Sequence, residues 1–212
     1  MSLKISYMPL WPTAIQISSF FRPITKEEMK VLLSVKTFKK TSLDLMCNTV
    51  SKNVNVLDCL ELKTLKKDLN LYLQEYWNNI FNCEQKIKMT NSWIGVTKKE
   101  ESHEMHLHPN SIVSGILYLQ AEGDCGSLKL ANNPTIYKDY NFEYNFKEFS
   151  VYNSKEWQIP VKTNDIILFP SSIAHGTTKN TTEKERIILG FNSFVYGKFN
   201  NSDCVADLNL KI

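Results

Sequence analysis

The stretch that decides the fold runs from residue 106 to residue 119 and reads His106-Leu107-His108-Pro109-Asn110-Ser111-Ile112-Val113-Ser114-Gly115-Ile116-Leu117-Tyr118-Leu119. Two histidines one residue apart lead directly into an apolar segment of the kind that forms buried strands. Successive side chains of a strand point to opposite faces, so His106 and His108 are predicted to share a face, with Cα atoms roughly 6.5–7 Å apart. Two imidazoles at that separation can bind one metal ion. The stretch therefore predicts a β framework that carries half of a metal site.

The remaining histidines fit this pattern. The chain holds four histidines, of which three lie within residues 103–108, and the fourth, His175, follows the apolar run 166–169. Jelly rolls of the cupin kind hold a metal with two ligands close together on one strand and a third far downstream. We therefore predict that His106, His108 and His175 bind a metal. Imidazole suits iron, zinc, copper and nickel, so these ligands alone do not identify the metal.

Two residues beside the first histidine pair have other interpretations. Glu104 lies two residues before His106 on the same predicted face, and it would be a ligand if the register of the strand were shifted. His103 falls on the opposite face of the predicted strand, where it would be a surface residue or support the ligands. The ligand set is therefore either the three histidines or a set that includes Glu104.

Composition limits the other possibilities. A chain of 212 residues can build one core, and we expect a single domain over 1–212: a strand and supporting helices in 1–84, the β core in 85–197 and a tail in 198–212. A net charge of +3 without a basic stripe gives no indication of nucleic-acid binding. No long apolar run predicts a membrane span, so we expect a cytoplasmic protein. Five separated cysteines predict reduced thiols rather than disulfides: Cys47, Cys59, Cys83, Cys125 and Cys204.

The period of the apolar residues changes near residue 85. Thr25 and Glu28 form a capping-box pattern that predicts a helix ending near residue 38. Apolar residues at helical spacing predict a second helix over 60–81. Residues 4–20 contain two prolines and predict an edge strand. After residue 85, turn residues separate predicted strands at 87–96, 104–108, 112–119, 127–131, 157–161, 166–169 and 186–195.

This order of elements predicts a mostly β protein with flanking helices, folded as a double-stranded β-helix of the cupin-like, jelly-roll type. The segment 134–152 is rich in tyrosine, phenylalanine, asparagine and lysine. It is either a half-buried hairpin or a lid beside the mouth of the barrel.

Arg186 is the second informative feature. It is one of two arginines in the chain, and it opens a strand eleven residues after His175. Positions 186, 188, 190 and 192 of that strand are predicted to point inward. A buried guanidinium needs an anionic partner, and its planar fork of donors matches a carboxylate. The position of Arg186 therefore predicts an acidic co-substrate next to the metal.

Together these residues resemble the Fe(II)- and 2-oxoglutarate-dependent oxygenase superfamily, whose usual pattern is H-x-D/E, a distant histidine and then an arginine or lysine. The sequence is most similar to a small branch found in bacteria and marine phages, with the motifs HxHPNSxxSGxxYL and FPSxxxH. The resemblance covers most of the chain: Leu57 and the helix from Leu60, Ser92-Trp93, 106–119, 168–172 with His175, and 186–192.

The resemblance implies that Fe(II) is held by the three histidines and that the co-substrates are 2-oxoglutarate and O2. Arg186 and Tyr118, which stands in a Tyr-Leu pair after the first ligands, would hold the far carboxylate of 2-oxoglutarate. We also expect Asn192, on the same inward face, to contact the co-substrate. The implied reaction hydroxylates an unknown substrate and releases succinate and CO2.

The resemblance has one departure. His108 stands where the superfamily usually has a carboxylate, which would leave the metal site one unit more positive. Two alternatives therefore stay open: a non-catalytic jelly-roll module that binds or supports a partner, and a cupin-type enzyme that uses three histidines without 2-oxoglutarate. The sequence does not predict the primary substrate or the oligomeric state.

Overall fold

The computed structural model describes residues 4, 6–10, 12–35, 38–40, 47–131, 145–200, 205 and 207–211. Two α-helices occur in this part of the chain, α1 (Lys26–Leu33) and α2 (Lys63–Tyr76). The strands are β1 (Gln16–Ser19), β2 (Phe38–Lys40), β3 (Thr49–Ser51), β4 (Lys86–Thr97), β5 (Val113–Gln120), β6 (Leu128–Ala131), β7 (Glu156–Ile159), β8 (Asp165–Pro170), β9 (Ala174–Thr177), β10 (Arg186–Phe199) and β11 (Leu208–Leu210). No helix in the described residues is long and apolar enough to cross a bilayer.

Both predicted helices are present. The Thr25 side chain accepts from the Glu28 N–H and the Glu28 carboxylate accepts from the Thr25 N–H, which confirms the capping box. This first helix ends at Leu33, earlier than predicted, because the Ser34 hydroxyl and N–H turn back onto carbonyls of the last turn. Short 3-10 turns precede α2, and a π turn extends it to Phe81. The predicted helix over 60–81 is therefore confirmed.

The strands form two facing sheets. The larger sheet has the order β1-β8-β5-β10-β4-β3-β2, with β11 added along β10, and the smaller one has the order β7-β6-β9. All of the pairings between these strands are antiparallel. This arrangement confirms the predicted mostly β, double-stranded β-helix fold with flanking helices.

The large sheet has a different core on each face. Alternate residues of β10, including Ile187, Leu189 and Phe191, pack with the leucines of α2 on the outer face. Inside the barrel, Tyr118 and Phe169 pack with residues of the small sheet. The inward positions of β10 are 186, 188, 190 and 192, as the alternation predicts. A functional site in the barrel is thus separated from the helices by one sheet.

Several strand predictions were wrong. Residues 104–108 do not form a regular strand, since the structure has only an isolated bridge between His106 and His175. Pro109 follows directly and has no N–H to donate to a ladder. In the described part of 4–20 the only strand is β1, and the sequence patterns did not indicate β2, β3, β9 or β11. Of the segment 134–152, residues 134–144 lie outside the described residues, and 145–152 contain no strand.

Candidate metal and co-substrate site

Three histidines converge inside the barrel. His175 lies on β9, whereas His106 and His108 lie on the connection between β4 and β5. The hydrogen bonds that fix the connection to β9 include a pair in which His106 and His175 exchange backbone N–H and C=O groups at 2.9 and 3.0 Å. The ring centroids of His106 and His175 are 4.2 Å apart, and those of His108 and His175 are 4.6 Å apart.

Hydrogen bonds assign the tautomer of each ring. His106 Nδ1 lies 2.8 Å from the Glu104 carbonyl oxygen, and His175 Nδ1 lies 3.0 Å from the Ile173 carbonyl oxygen. A carbonyl oxygen can only accept, so each Nδ1 carries the proton and each Nε2 carries a lone pair. His108 Nδ1 in turn donates to the Asn192 side-chain oxygen at 2.7 Å. All three Nε2 atoms are therefore free to bind a metal.

The spacing of these atoms suits metal coordination. One ring nitrogen of each histidine can be a metal ligand, and these three nitrogen atoms all lie within 4.8 Å of one another. The Nε2 atoms of His106 and His108 are 3.0 Å apart. Two imidazole nitrogens bound about 2.1 Å from one ion at a right angle would be about 3.0 Å apart. Facing lone pairs at this distance repel each other unless a cation lies between them, so the donor set fits a divalent metal.

Burial keeps the imidazoles in the neutral form that binds metals. Desolvation, reinforced by the neighbouring imidazoles, lowers the pKa of His108 to about 4 and that of His175 to about 3. Desolvation also lowers the pKa of His106. At neutral pH the three rings are therefore uncharged, and no proton has to leave before a metal binds.

A chain of hydroxyl groups extends behind His108. Asn192 Oδ1 accepts from the His108 ring and also from the Ser114 hydroxyl at 2.9 Å. Ser114 Oγ lies 2.8 Å from Ser171 Oγ, which donates to Ser111 Oγ at 2.7 Å. The contact of Asn192 in this structure is thus with a candidate ligand, and its predicted contact with the co-substrate stays a prediction.

Arg186 lies inside the barrel with a relative exposure of 2%. One terminal nitrogen donates to the carbonyl oxygens of Cys125 and Gly126, and the other donates to the hydroxyl oxygens of Thr97 and Thr177. Among the described residues no carboxylate forms an ion pair with it. Burial lowers the pKa of the guanidinium, but an arginine stays charged in proteins. Arg186 is thus a buried cation whose partners are all neutral.

Tyr118 is buried close to this cation. Its relative exposure is 1%, and its pKa is raised by burial, with an opposing effect from the charge of Arg186. No hydrogen bond of its hydroxyl group occurs within the described part of the chain, so a neutral O–H donor is available inside the barrel. The prediction that Arg186 and Tyr118 bind one end of a dicarboxylate stays a prediction.

His103 is a feature that the sequence pattern misplaced. The pattern put it on the opposite face from His106, but the two rings stack with centroids 4.2 Å apart. His103 pairs with Thr177, and His106 pairs with His175. Two residues, 104 and 105, therefore lie opposite the single residue 176. This bulge turns both rings to the inside. Burial, together with nearby imidazoles and Arg186, lowers the pKa of His103 to about 2.

Glu104 forms the outer part of this bulge. Its side chain is exposed, and the group of residues that could hold a metal does not include it. Its contribution is the backbone carbonyl that holds the ring of His106. Thr97 and Thr177, which bind Arg186, were not singled out from the sequence. Their spacing on the inward faces of β4 and β9 becomes informative only when the two strands are known to face each other.

Aromatic side chains contact two of the three candidate ligands, His106, His108 and His175, which are called the triad below. The Trp93 ring lies edge-on to His108 with centroids 5.4 Å apart, and Phe169 lies edge-on to His175 at 4.7 Å. Trp157 is paired with Leu130, which is paired with His175, so all three side chains lie in one row on the inner face of the small sheet. Trp157 is 48% exposed. It therefore forms an open wall of the barrel mouth, two strands from the nearest candidate ligand.

Comparison with known proteins agrees with this site. Residues 91–192, which contain the three histidines and Arg186, match the family described as "Putative 2OG-Fe(II) oxygenase". No curated protein sequence matches the chain significantly. Many solved structures share the fold, and three of them, from different organisms, are described next.

A prolyl-4-hydroxylase from Pseudomonas putida is 11% identical, with a TM-score of 0.56, over 85% of this chain and 92% of that one. A prolyl hydroxylase from Trichoplax adhaerens, solved with a peptide fragment of hypoxia inducible factor, is 16% identical, with a TM-score of 0.57, over 85% and 83%. HygX from Streptomyces hygroscopicus, with nickel, 2-oxoglutarate and hygromycin B bound, is 11% identical, with a TM-score of 0.57, over 85% and 82%. At these identities the similarity shows the fold, while the family match describes the segment that carries the site. Residues 91–192 therefore match a 2OG-Fe(II) oxygenase family, the three histidines that could hold a metal lie inside the matched segment, and most of the chain shares its fold with proteins solved with 2-oxoglutarate bound.

Proposed function

We propose that the protein is an Fe(II)- and 2-oxoglutarate-dependent oxygenase that hydroxylates a substrate and releases succinate and CO2. One observation carries this proposal. The three neutral imidazoles converge in the same barrel interior that holds Arg186, a buried cation without an acidic partner among the described residues. The three imidazoles would bind a metal that keeps open coordination positions. An anion bound at one of these positions could extend to Arg186 and form an ion pair with the guanidinium.

Each residue has a separate part in this proposal. His106, His108 and His175 hold the metal through Nε2. Arg186 and Tyr118 bind the far carboxylate of 2-oxoglutarate and thereby fix the orientation of its 2-oxo acid end. When bound, Fe(II) and 2-oxoglutarate would activate O2, so that one of its oxygen atoms enters succinate as CO2 is released and the other enters the C–H bond of the substrate. The apolar interior around Tyr118 and Phe169 excludes water from the far end of the co-substrate.

The third histidine affects the charge of the site. A triad with one carboxylate would neutralise one charge of a divalent metal, whereas three imidazoles neutralise none. The guanidinium adds one more positive charge. A dianionic co-substrate is therefore attracted more strongly here than it would be in a site with a carboxylate ligand.

The described residues on either side of the connection between β6 and β7 mark the place where this connection leaves the small sheet. The flanking residues Ala131 and Glu156 are paired with each other, and Ala131 is also paired with Ala174. Ala131 therefore lies opposite the neighbour of His175, and Glu156 lies one strand further away, at the same end of the small sheet. Trp157 follows immediately on the inner face, and we propose that it contacts the primary substrate.

An anaerobic titration tests the co-substrate proposal. Fe(II) and then 2-oxoglutarate are added to the protein, and the metal-to-ligand charge-transfer band of the chelate is recorded. We expect a band with the wild type. Its absence would exclude the 2-oxoglutarate proposal and favour a three-histidine metalloenzyme that does not use this co-substrate. Succinate release in air then measures turnover, and a protein that binds both groups but never forms succinate would be a binding module.

Arg186→Ala provides the first specific prediction. Removing the cation leaves the far carboxylate buried without its partner, which costs about 3 kcal/mol and weakens 2-oxoglutarate binding roughly 100-fold. The matched control is Arg22→Ala, which removes the other arginine. Arg22 binds Glu28 and Asp68 beside α1 and α2, so its loss should leave the affinity for 2-oxoglutarate unchanged. An unchanged affinity in Arg186→Ala would contradict the assignment of Arg186.

A further inference from the structure

The ring of the fourth histidine, His103, forms no hydrogen bond with any described residue. His103 stacks on His106 with centroids 4.2 Å apart and ring planes 30° apart. Within the described part of the chain, neither ring nitrogen of His103 forms a hydrogen bond, and His103 is outside the group that could hold a metal. A neutral imidazole always carries one N–H donor and one acceptor nitrogen. The N–H of this ring is therefore available to a ligand inside the barrel.

Hydrogen bonds of its backbone place His103 next to Arg186. Its N–H donates to Thr177 Oγ1 at 2.8 Å, and its carbonyl accepts from the Thr177 N–H at 2.9 Å. The same Thr177 oxygen accepts from Arg186 Nη2 at 2.8 Å. One hydroxyl group thus joins the segment of His103 to the guanidinium.

The surroundings of Arg186 offer several hydrogen-bond donors. Thr97 and Thr177 accept from Arg186 through their hydroxyl oxygens, so their hydroxyl protons are free to donate to a ligand. Tyr118 adds another O–H. The guanidinium forms no ion pair with a described carboxylate. A cluster of donors around a fixed positive charge suits an anion with several acceptor oxygens and disfavours a neutral group.

We propose that His103 donates a ring N–H to the far carboxylate of 2-oxoglutarate and shares that carboxylate with Arg186. The inference rests on the proposed function, since it assumes that 2-oxoglutarate reaches from the triad to Arg186. His103 is then a positioning residue that lets the site distinguish a 2-oxo dicarboxylate from a 2-oxo acid without the second carboxylate. Its stacking on His106 restricts the plane of the ring.

The experiment compares variants that keep or lose the donor. His103→Phe keeps a ring to stack on His106 and removes the N–H. His103→Gln and His103→Leu have similar volumes, but only the glutamine keeps an N–H donor. For each variant the Fe(II) complex is titrated anaerobically with 2-oxoglutarate and with 2-oxopentanoate, which has the same chain length without the far carboxylate. Co(II) affinity, measured from its visible absorption bands, reports on the triad alone.

We expect His103→Phe and His103→Leu to bind 2-oxoglutarate about 10- to 100-fold more weakly, the range for a lost hydrogen bond to a charged group. Their binding of 2-oxopentanoate and Co(II) should not change, and His103→Gln should recover part of the loss. Equal losses for both 2-oxo acids, or weaker Co(II) binding, would show that the ring only supports His106 and would overturn the proposal, as would unchanged 2-oxoglutarate binding. If the wild type gives no charge-transfer band at all, the proposed function fails, and the two failures are thereby distinguished. If His103→Phe does not fold, the leucine and glutamine pair carries the test.

Discussion

At the scale of single residues, the three candidate ligands differ in what holds them. His106 and His175 donate to backbone carbonyls, whose positions depend only on the path of the chain. His108 donates to the side chain of Asn192 instead. The ring that stands in place of the usual carboxylate is therefore oriented by a side chain that mutation can remove. Loss of a side chain that orients a metal ligand commonly lowers the affinity for the metal.

Removing the acceptor should weaken the metal site. In Asn192→Ala, His108 keeps only the Ser114 hydroxyl, 2.8 Å from its Nδ1, so we expect a loss near the lower end of the range for such partners, about tenfold in metal affinity. Competition with a chelator of known affinity, using Co(II), measures this change. Asn192→Asp is the matched control, because it keeps an acceptor of the same shape and should bind the metal at least as tightly. Equal metal affinity in Asn192→Ala and the wild type would contradict this role.

At the scale of elements, β10 connects the two cores of the protein. Its odd-numbered residues 187, 189 and 191 face the helices, while Gly190 and Asn192 face the barrel. Gly190 allows the Trp93 ring to lie against the backbone, and Gly115 on the neighbouring β5 does the same for Phe191. The sequence patterns predicted this alternation but not these close approaches, because they depend on which strands are neighbours.

These two glycines allow a matched test of the two faces. An added Cβ would lie 2.6 Å from Trp93 at Gly190 and 2.1 Å from Phe191 at Gly115. Overpacking of this kind costs about 1–3 kcal/mol of unfolding free energy, so both Gly190→Ala and Gly115→Ala should be destabilised in urea unfolding. Only Gly190→Ala should also lower metal affinity, because Trp93 contacts His108. A larger loss of metal affinity in Gly115→Ala would contradict this division.

At the scale of the whole molecule, the burial of His175 and the partial burial of the other three histidines make folding depend on pH. In the folded, metal-free protein the pKa values are about 4 for His108, about 3 for His175 and about 2 for His103. In the unfolded chain a histidine titrates near 6.5. Between these values the unfolded state binds more protons, so acid favours unfolding.

We therefore expect the unfolding free energy of the metal-free protein to fall as the pH decreases below about 6.5, by up to about 1.4 kcal/mol per pH unit for each of these histidines. Urea unfolding at a series of pH values measures the slope. His175→Gln removes one such group and should give a shallower slope. A slope that is the same in this variant would show that His175 is not protonated on unfolding in this range. Added Co(II) should stabilise the protein most near neutral pH, where the rings are neutral in both states.

The sequence by itself determined the fold class, the second helix, most of the strands and the residues brought together at the site. Alternation along 186–195 and helical spacing over 60–81 are local patterns, so they can be recognised without knowing which segments pack against them. The spacing of His106, His108, His175 and Arg186 also needs no coordinates, because the strand order of a double-stranded β-helix brings such positions together.

Only the tertiary structure decided the surroundings of these residues. The bulge that turns His103 inward and the short strands β3 and β9 depend on pairing with distant segments, which no local period reveals. The same is true of the side-chain oxygen of Asn192 behind His108 and of the two threonines that bind Arg186. The positions of the reactive groups follow from the chain, but the hydrogen bonds that orient them exist only between strands that folding makes neighbours.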